Sequence, residues 1–229
     1  MIVAAGSGQR LAAGMPKALV RLHGRPLLAW VLDAFTGHPD IDSVVVVGPP
    51  GALADVEDCA AGRATVVAGG TSRQASVELG LAAVGSGVEL VLVHDAARPL
   101  VPASVISGVV AALRAGAQAV IPVLPVADTI KQVDGTGQVV ATLDRAQLRA
   151  VQTPQGFARS ALVAAHRDAR ERSLTEVTDD AGLLEVLGVP VVTVPGAELC
   201  FKITGPHDLR LAHALADEPS TATPVGEPA

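Results

Sequence analysis

Short apolar runs rich in β-branched residues alternate along the chain with Ala- and Leu-rich segments. The runs Ile2–Ala5, Val44–Val47, Thr65–Ala68, Leu90–His94, Ala119–Val123 and Val191–Val194 predict strands. Each is nearly continuous in apolar character, the pattern of a strand covered by helices on both sheet faces. Helices are predicted near Pro26–Phe35, Ser72–Val84, Ala103–Arg114, Arg159–Arg172, Asp179–Leu187 and Pro206–Ala216. This alternation predicts an α/β fold with a doubly wound, mostly parallel sheet. One segment departs from the rhythm. Two strand-like stretches, 128–133 and 138–142, flank an Asp134-Gly135 turn and predict a β-hairpin. It falls where another βα unit is expected, so it reads as an arm over about 125–143 projecting from the sheet. Residues 1–216 read as one domain, and 217–229, with Pro, Ser, Thr and Glu and little to bury, as a disordered tail. The first strand is short: either Met1 is not the natural start, or the strand loses residues at its solvent end.

Composition narrows the function classes. Lys plus Arg total 17 and Asp plus Glu 23, a net charge of −6. An acidic chain without a basic run is a poor generic nucleic-acid binder. Aromatics are 2% of residues, too few for the stacking platforms of single-strand binders. The longest uncharged stretch runs from Pro99 to Leu113 and contains Pro, Ser and Gly. A bilayer span needs about 20 apolar residues, so no transmembrane helix is predicted. The N-terminus lacks the basic start and apolar core of a signal peptide. Cys59 and Cys200 lie far apart and suggest neither a disulfide framework nor a zinc site, which favours a reducing cytoplasm.

The chemistry begins at Ala4-Ala5-Gly6-Ser7-Gly8-Gln9-Arg10 and continues to Pro16-Lys17. A Gly-rich turn after a strand lets backbone N–H groups approach an anion. A dinucleotide fingerprint would need a third glycine at position 11, which is Leu, and no Walker-type Gly-Lys-Ser/Thr follows. Arg10 and Lys17 flank the loop instead. That suits a triphosphate attacked at its α-phosphorus, where negative charge builds. A plain strand-to-helix turn with solvated cations is the bland alternative.

This signature resembles that of nucleotidyltransferases. The remaining motifs are closer still to the 2-C-methyl-D-erythritol 4-phosphate cytidylyltransferase family. They are Gly69-Gly-Thr-Ser-Arg-Gln-Ala-Ser76, Val93-His-Asp-Ala-Ala-Arg-Pro99, Asp128-Thr-Ile-Lys131, Leu143-Asp-Arg145, Gln152-Thr-Pro-Gln-Gly-Phe157, Thr178-Asp-Asp180 and Phe201-Lys-Ile-Thr204. Each is weak alone; the ordered set covers the chain to about residue 216 and is specific. The resemblance implies coupling of CTP to methylerythritol phosphate in isoprenoid synthesis, by a homodimer with Mg2+ or another divalent cation. It implies that Arg10 and Lys17 stabilise the transition state, that Ala4, Ala5, Gly6, Ser7 and Gly8 wrap the triphosphate, and that Gly70, Thr71 and Ser76 lie near cytosine and ribose. Arg145 and Lys202 would hold the sugar-alcohol phosphate; Asp95, Thr129 and Thr153 would contact the second substrate. Asp95 is also the candidate metal ligand. The hairpin arm would reach across the dimer, so that Thr129 and Arg98 serve the neighbouring site. The chain departs from the family pattern at Val3 (often Pro), Gln9 (an Arg in some members) and Thr71 (often acidic).

Some residues read two ways. His94 has the pKa of a general base, yet a phosphate monoester nucleophile is already ionised, which favours a structural role. Asp179 and Asp180 begin a helix, where capping competes with metal binding. Lys202 would point away from Phe201 and Ile203 on a strand, into solvent or over a pocket. Arg145 could be an ordinary surface arginine and Thr153 a loop-shaping residue before Pro154. A ribitol 5-phosphate cytidylyltransferase and a non-catalytic nucleotide-binding protein are the alternatives in function.

Overall fold

The computed structural model describes residues 1–6, 15–174 and 177–216. Ser7, Gly8, Arg10 and the segment 217–229 lie outside the described residues. The first strand, β1 (Ile2–Val3), is followed by a small hairpin of β2 (Arg21–Leu22) and β3 (Arg25–Pro26), then α1 (Leu27–Thr36), β4 (Val45–Gly48), α2 (Leu53–Ala60), β5 (Thr65–Ala68) and α3 (Arg73–Ala83). Next come β6 (Leu90–Asp95), α4 (Ala103–Arg114), β7 (Ala119–Pro125), the arm strands β8 (Lys131–Val133) and β9 (Val139–Thr142), then β10 (Arg149–Val151) and β11 (Gln155–Ala158). The chain closes with α5 (Arg159–Glu171), α6 (Asp180–Val186), β12 (Val191–Pro195) and α7 (Pro206–Ala216).

The described residues form an eight-stranded sheet in the order β10-β7-β11-β6-β1-β4-β5, with β12 on β7. β1 pairs in parallel with β4 and β6, β4 with β5, and β12 with β7, while β10 and β11 run antiparallel to their neighbours. The pleat sorts each strand's residues to two cores. Val46, Leu92 and Val120 pack under α1, α2 and α4 with Leu28, Leu32 and Ile106. Val47, Val91, Val93, Ala119 and Ile121 pack under α3, α5 and α6 with Val77, Leu162 and Leu184. Continuous apolar runs are therefore what these strands require.

The six predicted strands and six predicted helices all form, with ends shifted by at most two residues. Besides the small β2–β3 hairpin, three features went unpredicted. α2 buries only Val56 and Ala60, so its acidic sequence shows little periodicity. β11 contains Gly156 and no β-branched residue. Yet it is central because a Cβ on Gly156 would stand 2.4 Å from Val109 Cγ1 under α4. β10 is three exposed residues recruited by β7. The arm forms, but its turn differs in detail from an Asp-Gly hairpin. Asp134 Oδ1 accepts from the backbone N–H groups of Thr136 and Gln138, and the left-handed residue is Gly137 (φ 84°), while Gly135 is not left-handed.

Candidate active site

A cavity of about 570 Å3 opens at the carboxyl ends of β1, β5 and β6. β1 lies between β4 and β6, so the chain winds away from it in both directions. This is the topological switch point at which open α/β sheets bind ligands. One wall is Val3 to Gly6 with Lys17 and Ala18; the opposite wall is Gly70 to Arg73 with Ser76; Asp95 to Ala97, Lys202 and Thr204 complete it.

The Gly69-Gly70 turn is fixed by packing. A Cβ on Gly69 would stand 2.6 Å from Ala5 Cβ, and one on Gly70 2.6 Å from Ala75 Cβ, so the two loops approach more closely than side chains allow. The Gly70 N–H donates to Ser76 Oγ at 3.1 Å, and Ser76 Oγ–H donates to the Ser72 carbonyl at 2.8 Å. Ser76 is 1% exposed, so its hydroxyl shapes this loop. Ser72 caps α3 by accepting from the Ala75 N–H at 3.0 Å.

Asp95 is the carboxylate of the cavity wall, and cations surround it. Lys202 Nζ lies 2.8 Å from Oδ2, Arg98 Nε 3.7 Å from Oδ2, and Arg73 Nε 3.9 Å from Oδ1. Burial alone would raise its pKa; Lys202, Arg73 and Arg98 together hold it below the ordinary carboxylate value. Lys202 reaches it because 201–204 is not a strand: the Ile203 N–H donates to the Ala97 carbonyl at 2.8 Å and Ile203 is buried.

The Gln152-Thr-Pro-Gln155 motif works behind the cavity. Gln152 donates to the Ala197 carbonyl (2.9 Å) and accepts from the Ala197 N–H (3.0 Å), clamping the segment that carries Lys202. Gln155 donates to Asp179 Oδ2 at 2.6 Å and accepts from the Ala181 N–H at 3.3 Å. Thr153 is 5% exposed and does not line the cavity. Its hydroxyl accepts from the Asp95 N–H (3.1 Å) and pairs with His94 Nδ1 (3.0 Å), while His94 Nε2 meets the Arg98 carbonyl at 3.1 Å. These partners assign the hydroxyl proton to Nδ1 and the ring proton to Nε2. His94 is fully buried, which lowers its pKa to about 4, so it is neutral and structural.

Ala4, Ala5, Gly6, Lys17, Gly70, Thr71, Ser76, Asp95 and Lys202 are thus brought to one cavity. Arg98 is directed inward: its Nη1 donates to the Cys200 carbonyl at 2.7 Å in its own chain, beside its own Asp95. Thr129 and Arg145 are exposed and line no part of this cavity; Arg145 donates to the Ala127 carbonyl at the base of the arm. Asp179 caps α6 by accepting from the Gly182 N–H at 3.0 Å. Asp180 is buried against Arg73 Nη1 at 2.7 Å. Sequence reasoning left Arg73 out of its site residues, although it lies inside a quoted motif.

With this geometry in view, the relatives are informative. Residues 1–218 match the family model of IspD, 2-C-methyl-D-erythritol 4-phosphate cytidylyltransferase. The chain belongs to this family. It is 50% identical to the 2-C-methyl-D-erythritol 4-phosphate cytidylyltransferase of Streptomyces avermitilis, over 94% of this chain and 90% of that protein. The Rhodococcus opacus enzyme of the same name is 49% identical over 95% of this chain and 94% of that protein. Among solved structures, the family's enzyme from Thermus thermophilus matches with TM-score 0.77 and 40% identity, covering 94% of this chain and 97% of that one. The chain is therefore a cytidylyltransferase by family, and its α/β sheet is the nucleotidyltransferase fold.

Proposed function

We propose that this enzyme transfers the cytidylyl group of CTP to 2-C-methyl-D-erythritol 4-phosphate, in the non-mevalonate isoprenoid pathway. The products are 4-diphosphocytidyl-2-C-methyl-D-erythritol and pyrophosphate. One observation carries the reading beyond family membership: Lys17 and Lys202 lie on the wall of a single cavity with the Gly6 and Gly70 loops and one carboxylate. The loops offer backbone donors to the triphosphate and the base. Lys202, with Asp95 beside it, positions the incoming phosphate. That phosphate is already anionic and attacks the α-phosphorus without a general base. The O–P bond forms as the bond to pyrophosphate breaks, and Lys17, together with Arg10, offsets the developing charge. Lys17→Ala is expected to lower kcat roughly 100- to 1000-fold.

We also propose a divalent cation such as Mg2+, which takes one or two carboxylates and completes its shell with substrate phosphates and water; Asp95 is the candidate protein ligand and would have to exchange its ion pair with Lys202 to hold it. Bound there, it would neutralise triphosphate charge.

We further propose a homodimer formed through the arm. Val133 and Val139, register partners on one face of the arm, are 53% and 60% exposed, and Val140 on the other face is 57% exposed, apolar surface suited to a second copy. Thr129 and Arg145 would then serve the partner's cavity. A cytoplasmic location is supported by the free thiols Cys59 and Cys200. Pyrophosphate release with CTP and methylerythritol phosphate, run against ribitol 5-phosphate, tests the assignment; preference for ribitol 5-phosphate refutes it.

A further inference from the structure

A row of paired polar side chains runs from the buried contact of α5 and α6 into the cavity. His166 Nε2 stands 3.2 Å from Asp180 Oδ1, and Asp180 Oδ2 is 2.7 Å from Arg73 Nη1. Arg73 Nε is 3.9 Å from Asp95 Oδ1, and Asp95 Oδ2 meets Lys202 Nζ. The His166 and Asp180 side chains are 2% and 1% exposed, whereas Arg73 is 29% exposed and lines the cavity. One end of the guanidinium is therefore tied to a buried anion and the rest faces the site.

We propose that Asp180, backed by His166, is a positioning residue that fixes Arg73 on the nucleotide side of the cavity. The planar guanidinium can bond in two directions at once. Anchored through Nη1, it presents its remaining N–H groups to the nucleotide and does not close on Asp95. Asp179 is engaged in capping α6 and in bonding Gln155, so without the anchor Asp95, already 3.9 Å from Nε, is the cavity carboxylate the guanidinium can close on. Arg73 would then swing onto it and leave the nucleotide wall. Arg73 sits one residue after the Ser72 cap and three after Gly70, so its position also bears on the loop that faces the nucleotide.

This rests on CTP being the nucleotide. Calorimetric titration of CTP into the wild type tests that reading separately: absence of CTP binding there defeats the proposed function and not merely the role of Asp180. Given wild-type binding, Asp180→Asn and Arg73→Ala are each expected to weaken CTP about tenfold. The double variant is expected to be no weaker than Arg73→Ala alone, the non-additivity of residues acting as one unit. KM for the sugar phosphate at saturating CTP stays near wild type. Losses that multiply in the double variant, equal changes toward both substrates, or unchanged CTP affinity in Asp180→Asn overturn the proposal. Should Asp180→Asn fail to fold, Arg73→Lys decides. It keeps the charge and loses the fork, and is expected to bind CTP as weakly as Arg73→Ala; wild-type affinity would overturn the assignment.

Discussion

The buried imidazole of His94 makes stability depend on pH in a calculable way. In the unfolded chain it titrates near its ordinary 6.5; in the fold, burial lowers its pKa to about 4, with the Asp95 charge and the hydrogen bond to the Arg98 carbonyl opposing that shift and the Arg98 guanidinium charge reinforcing it. Between these values the unfolded state binds a proton that the folded state refuses, so stability falls as pH falls through this window and the loss ends below about 4. Each tenfold ratio is worth about 1.4 kcal/mol, so acidification from about pH 7.5 to about pH 4.5 removes roughly 2 to 3 kcal/mol through this residue. The hydrogen bonds agree with the sign. A proton on Nδ1 would turn it into a donor toward a Thr153 oxygen that already accepts the Asp95 N–H, displacing the hydroxyl's own proton. Denaturant unfolding of wild type and His94→Gln across this range isolates the term, since contributions common to both cancel. The variant is expected to be less stable at neutral pH but to lose about 2 to 3 kcal/mol less on acidification. Parallel pH profiles would show that His94 is not held neutral by burial and would refute the argument.

Two further outcomes bear on the site. Lys202→Met keeps the apolar stem and removes the ammonium beside Asp95; it is expected to raise KM for the sugar phosphate and cut kcat/KM by roughly 100-fold while calorimetric CTP affinity changes little. Gly70→Ala places a Cβ 2.6 Å from Ala75 Cβ, so the loop lining the cavity must shift. CTP affinity should drop at least about tenfold, about 1.4 kcal/mol, with a far smaller effect on KM for the sugar phosphate.

The parallel half of the fold was legible because its central strands β4, β6 and β7 are buried on both faces and must be apolar nearly throughout, and because its less buried strands β5 and β12 keep β-branched runs, signals visible one strand at a time. The antiparallel pieces β10 and β11 were not, because what makes them strands is the edge of β7 and the space beneath α4, neither of which is local in sequence. The site divides in the same way. Lys17, Gly70, Asp95 and Lys202 were readable as chemistry and reach one cavity. Thr153 read equally as a substrate contact and as a loop-shaping residue; in the fold its hydroxyl bonds the Asp95 N–H and His94. A buried polar group must find partners or cost several kcal/mol, so a fastening residue and a catalytic one can leave the same short polar motif. What separates them is which atoms remain unspent. Thr153, Gln152 and Gln155 give their polar atoms to the Asp95 strand, the Lys202 segment and the α6 terminus respectively. They join the three pieces of chain that bring Asp95, Lys202 and Asp180 within reach of one cavity. Arg73 is the converse case: a residue inside a motif whose importance rests on Asp180, 107 positions away, and which only the folded chain brings into view.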